Sequence, residues 1–199
     1  MHYLSLSLIQ AQVCTASVDI IYLMDSSVSA SDFEKQRDFV RDLARIFSLG
    51  TSRAAVVTYD DKATARINFD DFDSTFEFAN AIDRISQIQT QGGSRIDLAL
   101  KKTSDMFKSA RINVPKVLIA LTNGSHTEDS MALNQPVQLL RDQNVRIFAV
   151  GIGSNVDINK LKSLVESDAD AFLVDLFVDL LRKSQTFADN TCSQISNCE

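Results

Sequence analysis

The segment Asp25-Ser26-Ser27-Val28-Ser29 places a carboxylate and two hydroxyls at alternating positions. In an extended or turning backbone alternate side chains share a face, so Asp25, Ser27 and Ser29 can converge. Gly92-Gly93-Ser94 ends a second loop and offers another hydroxyl. Leu121-Thr122-Asn123-Gly124 ends an apolar run and offers an amide oxygen at Asn123. Together Asp25, Ser27, Ser29, Ser94 and Asn123 form an all-oxygen donor set of low negative charge. Hard cations take oxygen ligands, and Mg2+ keeps waters that a partner's carboxylate can replace. The expected ion is Mg2+, with Mn2+ or Ca2+ as substitutes. Asp and Ser also begin helices as N-caps, so a capping turn without metal is the alternative reading of the first segment.

These residues need elements to hold them. Val18 to Met24 is a nearly continuous apolar run and reads as a buried strand ending at Asp25. Ser31 and Glu34 form a capping box that opens a helix carrying Phe33, Val40, Leu43, Ala44 and Phe47, stopped at Gly50. Ala54 to Tyr59 is a second strand, and Ala65 to Phe69 alternates as a short edge strand. Ser74 and Glu77 open a helix with Phe78, Ala79, Ile82 and Ile85. A third helix follows Gly92-Gly93, with Ile96, Ala99, Leu100, Thr103 and Phe107. Val117 to Leu121 is a fourth strand. Met131 to Gln143 is a helix, with Pro136 near its start or in a break before it. Ile147 to Val150 and Ala171 to Val174 are strands five and six, separated by a helix through Ile158, Leu161, Leu164 and Val165. Leu176 to Phe187 reads as the closing helix.

Such alternation predicts an α/β domain: Rossmann-like, doubly wound in three layers, with a six-stranded, mostly parallel sheet and one antiparallel edge strand. In these folds ligands bind beyond the carboxyl ends of the strands, at the switch point of strand order. Strands one and four should flank that point, which brings Asp25 and Asn123 to one edge.

The bulk properties narrow the function. A net charge of −6 over 199 residues disfavours nucleic acid and anionic membranes, which need a basic face. No apolar run is long enough to span a bilayer, so membrane insertion is not expected. The three cysteines, Cys14, Cys192 and Cys198, all lie outside the expected core and suggest an oxidising compartment. Cys14 with Cys192 is the best-placed pair. Cys192 with Cys198 is the alternative, and three reduced thiols in a cytosolic protein are the less favoured reading. In the first pairing Cys198 is left for a covalent or domain partner. The expected organisation is a signal peptide or N-terminal extension over 1–16, a folded domain over 17–190, and a cysteine-containing tail over 191–199.

Other motifs carry less. His126 with Asp129 lacks a Gly-x-Ser-x-Gly elbow, and His2 is the only other histidine, so catalysis is not expected. Gly151-Ile152-Gly153 lacks the third glycine of a dinucleotide fingerprint and reads as a turn. Asp60-Asp61 and Asp70-Asp71-Asp73 read as solvated turn and helix-start residues. Arg95 and Asp97 could pair with each other, touch a partner or orient the loop.

The whole pattern resembles the von Willebrand factor type A domain. Asp25, Ser27 and Ser29 match that family's Asp-x-Ser-x-Ser motif. Gly92-Gly93-Ser94 before Leu98-Ala99-Leu100 resembles its second motif loop, Val117 to Gly124 its fourth strand and third loop, and Arg146 to Gly153 its fifth strand. The resemblance runs from about Val18 to Phe187. It implies a non-enzymatic module of the secreted extracellular matrix. Its metal ion-dependent adhesion site would bind an acidic group on a protein such as collagen or another matrix protein. Members that work without metal imply the alternative, a structural matrix module binding through another surface. Two departures bear on the site. Ser94 stands where the family usually has Thr, which keeps the hydroxyl. Asn123 stands where it usually has Asp, which removes a charge and should lower metal affinity. Asn123-Gly124-Ser125 is also the single standard N-glycosylation sequon. A glycan there would cover the adhesion face; a strand-end Asn is expected to stay bare.

Overall fold

A strand with no polar face must be covered on both sides, and Asp19–Asp25 (β1) is buried at every position. The computed structural model describes residues 17–47, 49–90, 93–124, 130–152 and 156–174. Around β1 lie β2 (Arg53–Tyr59), β3 (Ala63–Ile67), β4 (Lys116–Thr122), β5 (Val145–Ile152) and β6 (Ala171–Val174). Their spatial order is β3-β2-β1-β4-β5-β6. Only β3, at one edge, runs antiparallel; the other pairings are parallel. The order reverses between β1 and β4, so the carboxyl ends of these two strands flank the switch point. Register sets Asp25 opposite Tyr59 on β2, and Met24 opposite Leu121 on β4.

The alternation of β1 feeds two cores. Ile20, Tyr22 and Met24 face Phe33, Val40 and Leu43 of α1 (Ala30–Ile46) and Phe78 and Ile82 of α2 (Thr75–Asp83). Ile21 and Leu23 face Ile96, Ala99 and Leu100 of α3 (Ile96–Phe107), Leu133, Val137 and Leu140 of α4 (Ser130–Arg141), and Leu161 of α5 (Ile158–Lys162). Each fully buried Leu, Ile or Phe is worth about 1.5–3 kcal/mol, so both layers are held mainly by apolar burial.

Local details depart from the sequence expectation at several points. Helix α1 begins two residues earlier than the Ser31–Glu34 box implies. Its N-cap is Ser29, whose Oγ accepts from Asp32 N at 3.2 Å and donates to Asp32 Oδ2 at 2.9 Å. The reciprocal cap forms at the upstream Ser-x-x-Asp because Asp32 answers Ser29 with a side chain of its own. Strand β3 starts at Ala63, not Ala65. A tight turn joins it to β2, with Asp60 N donating to Lys62 O (3.0 Å) and Lys62 N to Asp60 Oδ1 (3.1 Å). Pairing therefore grows from the turn and ends at Ile67, leaving the buried Phe69 beyond the strand. Pro136 lies inside α4, not near its start. The buried seam of Leu133, Val137 and Leu140 holds the helix across it. The expected closing helix at 176–187, residues 1–16 and all three cysteines lie outside the described residues.

At the amino end of β1, Asp19 is fully buried between two arginines. Arg53 Nη2 donates to Oδ2 at 2.8 Å and Arg111 Nε to Oδ1 at 2.9 Å, while Arg111 N adds a 2.7 Å bond to Oδ2. Burial alone would raise this carboxyl's pKa; hydrogen bonds from Arg53 and Arg111 outweigh it and hold the group below the usual range.

Candidate functional site

At the other end of β1 the carboxylate of Asp25 is also fully buried, but every partner is neutral. Its Oδ1 accepts from Ser27 N at 2.9 Å and from Ser27 Oγ at 2.6 Å. Its Oδ2 accepts from Ser94 Oγ at 3.2 Å and Thr122 Oγ1 at 3.3 Å. Hydroxyls from three separate segments thus meet at one carboxylate: the turn after β1, the loop before α3 and the last residue of β4. Burial pushes the Asp25 carboxyl above the usual range, and the hydrogen bonds from Ser27, Ser94 and Thr122 only partly pull it back.

The surroundings fix this geometry. The amide of Gln36, fully buried on α1, brackets the Asp25 backbone: Asp25 N donates to Gln36 Oε1 at 2.8 Å, and Gln36 Nε2 donates to Asp25 O at 3.1 Å. Ser26 N and Oγ both donate to Tyr59 O, at 2.7 and 2.8 Å, tying the turn to β2. From the segment after α2, Gln87 Nε2 donates to Ser26 O and Val28 O, at 2.9 and 2.8 Å, and Gln89 Nε2 to Val28 O at 2.5 Å. The carbonyls of the Asp-x-Ser-x-Ser turn are therefore engaged from outside while the Ser27 hydroxyl turns to Asp25. Asp60 anchors the neighbouring loop, its Oδ2 accepting from Thr90 N at 2.8 Å and its carbonyl from Arg95 N at 2.6 Å.

Tyr59 lies beneath the cluster. It is the register partner of Asp25, is 1% exposed, and faces Asp25, Ser94 and Thr122 without making a hydrogen bond through its hydroxyl. Burial, then the charge of Asp25, pushes the phenol well above its usual pKa.

Of the residues singled out in the sequence, Asp25, Ser27 and Ser94 are brought into direct contact. Ser29 is exposed and its hydroxyl serves the α1 cap through Asp32, with Ser31 Oγ 3.2 Å away. Asn123 stands half-buried at the end of β4, beside the cluster in the chain but not among the donors to Asp25. Gly124, with φ +73°, turns the chain there, and a side-chain Cβ at this position would meet Asp157 at 3.2–3.4 Å. Arg95 pairs with Asp97 through two bonds of 2.9 and 2.7 Å. Gly151, next to last in β5, packs against Val156, where an added Cβ would come within 2.5 Å, in keeping with a structural role. His126 and Asp129 lie outside the described residues.

Sequence reasoning missed Thr122, Gln36, Tyr59, Gln87 and Gln89. Gln36 left a signal: with Phe33, Val40 and Leu43 it falls on the apolar stripe of α1, where an amide needs a partner. Among the described residues no group of three or more His, Cys, Asp or Glu is placed to hold a metal. An ion at this edge would therefore rest on hydroxyl oxygens and one carboxylate. Uncharged hydroxyls gathered on one carboxylate that has no cationic partner are the oxygen donors a hard cation takes.

A family model described as von Willebrand factor type A domain matches residues 19–185. The chain belongs to this family. Relatives of this type A domain include cuticlin-6 of Caenorhabditis elegans, 30% identical over 88% of this chain and 31% of that protein. The collagen alpha-4(VI) chain of Mus musculus is 30% identical over 91% of this chain and 8% of that protein. Mouse matrilin-2 is 25% identical over 96% of this chain and 21% of that protein. The type A domain here thus spans under a third of each of these longer proteins. Among solved structures, proximal thread matrix protein 1 from the mussel byssus matches with a TM-score of 0.79 at 20% identity, over 90% of this chain and 48% of that one. A form of it with a zinc-occupied MIDAS motif matches at a TM-score of 0.75 and 24% identity, over 90% of this chain and 47% of that one. These likenesses establish the fold.

Proposed function

We propose that this type A domain is an extracellular matrix adhesion module that uses a divalent cation to bind an acidic group on a protein partner. One observation carries the reading: hydroxyls from three separate segments converge on a buried carboxylate that has no cationic partner. Residues Asp25, Ser27 and Ser94, with Thr122 behind them, would hold the ion, and Ser29 and Asn123 lie on the same turns as further oxygen donors. Each hydroxyl has lone pairs to offer while its proton stays on a neighbour. Mg2+, or Mn2+ or Ca2+ in its place, supplies a positive charge with coordination positions open to a carboxylate from outside. The chain's own groups hold the oxygens in place: Gln36 fixes the Asp25 backbone, and Gln87 and Gln89 fix the turn that carries Ser27.

The relatives support the matrix setting, since collagen VI chains and matrilin-2 are matrix proteins. The solved neighbour with zinc at its motif supports a metal at this edge. A collagen or another matrix protein with an exposed Asp or Glu is the partner class this chemistry fits, and no catalytic role is proposed. Secretion, Cys14–Cys192 pairing and a partner at Cys198 belong to the same proposal. A second reading, a metal-independent structural module, draws on Ser29 being engaged in the α1 cap and on Asn123 bringing no charge.

The test is calorimetric titration of the metal-stripped protein with Mg2+, Mn2+ and Ca2+, beside Asp25→Ala. Adhesion to collagen is then measured with and without chelator. Saturable one-site binding lost in Asp25→Ala is the expected result. Adhesion that is indifferent to both chelator and Asp25→Ala favours the structural module.

A further inference from the structure

The donor set leaves a polar atom unsatisfied at its centre. Tyr59 is 1% exposed and its hydroxyl has no hydrogen-bond partner. Buried polar groups are nearly always satisfied, because burial strips their water, so an exception at a site asks for a cause. Here two of the three groups it faces already accept from other donors. Asp25 Oδ1 accepts twice from Ser27, and Oδ2 accepts from Ser94 and Thr122. Thr122 Oγ1 in turn accepts from Gly124 N at 3.0 Å. The phenol cannot turn away, because Tyr59 is locked in register opposite Asp25 and packed in the core beneath α3.

Resting on the cation-site reading above, we propose that Tyr59 is a positioning residue that couples cation loading to the sheet. Its hydroxyl, which makes no hydrogen bond here, gains an oxygen acceptor when a divalent cation is loaded and the hydroxyls around Asp25 rearrange. The protein holds its own control. Tyr22 is also fully buried with an unpartnered hydroxyl, but it lies on the opposite face of β1, against Phe78 at 6.2 Å between ring centroids. It has the same defect and no site beside it.

The experiment compares Tyr59→Phe and Tyr22→Phe in the full chain. Melting is followed in chelator, Mg2+ affinity by calorimetry, and the tyrosine near-ultraviolet difference spectrum on adding Mg2+. The spectrum is readable because the chain has three Tyr and no Trp. Removing an unsatisfied buried hydroxyl raises Tm in chelator by about 2–4 °C in either variant. Only Tyr59→Phe weakens Mg2+ binding, by about tenfold, the worth of one hydrogen bond to a charged group. Only Tyr59→Phe abolishes the Mg2+-induced tyrosine signal. Wild-type affinity or a retained signal in Tyr59→Phe overturns the assignment, as does a lowered Tm in chelator. If wild type binds no Mg2+, Mn2+ or Ca2+, the cation site itself falls and this role falls with it. If wild type binds and Tyr59→Phe binds equally, only the role of Tyr59 falls.

Discussion

Asp25→Asn should remove the function while leaving the cation-free fold at least as stable as wild type. The substitution keeps the shape. The Asn oxygen can take the place of Oδ1 and go on accepting from Ser27 N and Oγ, which stand at 2.9 and 2.6 Å. The new NH2 then faces Ser94 and Thr122, whose hydroxyls turn to accept instead of donate. What is lost is a buried charge with only neutral partners. Burial raises the Asp25 carboxyl above its usual range. A raised folded-state pKa means that stability falls as pH rises through it, so at pH 7 wild type carries the cost of the ionised form and Asn does not. In chelator the variant should melt at or a few degrees above wild type, with the difference shrinking as pH falls from the raised pKa of Asp25 to the ordinary carboxylate value. With cation at about 100 times Kd, wild type gains about 2.7 kcal/mol by linkage, which is about 5–10 °C for a chain of this length. The variant should lose most of that gain. Circular dichroism melts in chelator and in Mg2+, at neutral and acid pH, give all four values. A variant that melts several degrees below wild type in chelator would refute the argument, because it would mean that the charge of Asp25 is compensated within the fold.

Gln36→Leu leaves the Asp25 N–H and C=O without their 2.8 and 3.1 Å partners and should cost about 2–4 kcal/mol in urea unfolding with an unchanged slope; a loss below about 1 kcal/mol contradicts the anchoring role. Asp19, held below the usual range, contributes stability that is present above its unfolded pKa and lost as pH falls through the folded one. Asp19→Asn should therefore flatten the acid limb of the stability curve, and an unchanged acid limb would assign acid unfolding elsewhere. Peptide mapping of the protein secreted from a glycosylating host should find Asn123, half-buried at the strand end, unmodified; full occupancy by a glycan would be incompatible with an open adhesion face.

The architecture was legible because each parallel strand is a continuous apolar run, and such runs survive any uncertainty at their ends. Element ends depended on partners instead. The start of α1 turned on Asp32 answering Ser29, and β3 on a turn that registers Ala63 with Tyr59. At the site, Asp25, Ser27 and Ser94 could be read because their spacing brings hydroxyls to one carboxylate. Thr122 stood within the quoted Leu121–Gly124 segment, but its neighbour Asn123 drew the assignment. Tyr59 could not be found, since it reads as an ordinary strand aromatic until register sets it opposite Asp25. Gln87 and Gln89 sit in a stretch without periodicity, where nothing in the sequence says what their amides reach.

Strand β1 ends in the same chemical group twice, on the same face. Asp19 and Asp25 are both fully buried, about 20 Å apart at the usual rise of a strand. Arg53 and Arg111 neutralise the first from within the chain, so it needs no ion from the medium. The second has only hydroxyls and an amide, and on the proposed reading a cation from the medium supplies its positive charge. A lineage of this fold could close that dependence with one substitution that brings a lysine or arginine beside Asp25, without disturbing the order or pairing of any strand. On that reading responsiveness to ions is a separable trait, carried on a sheet whose strand order does not depend on it.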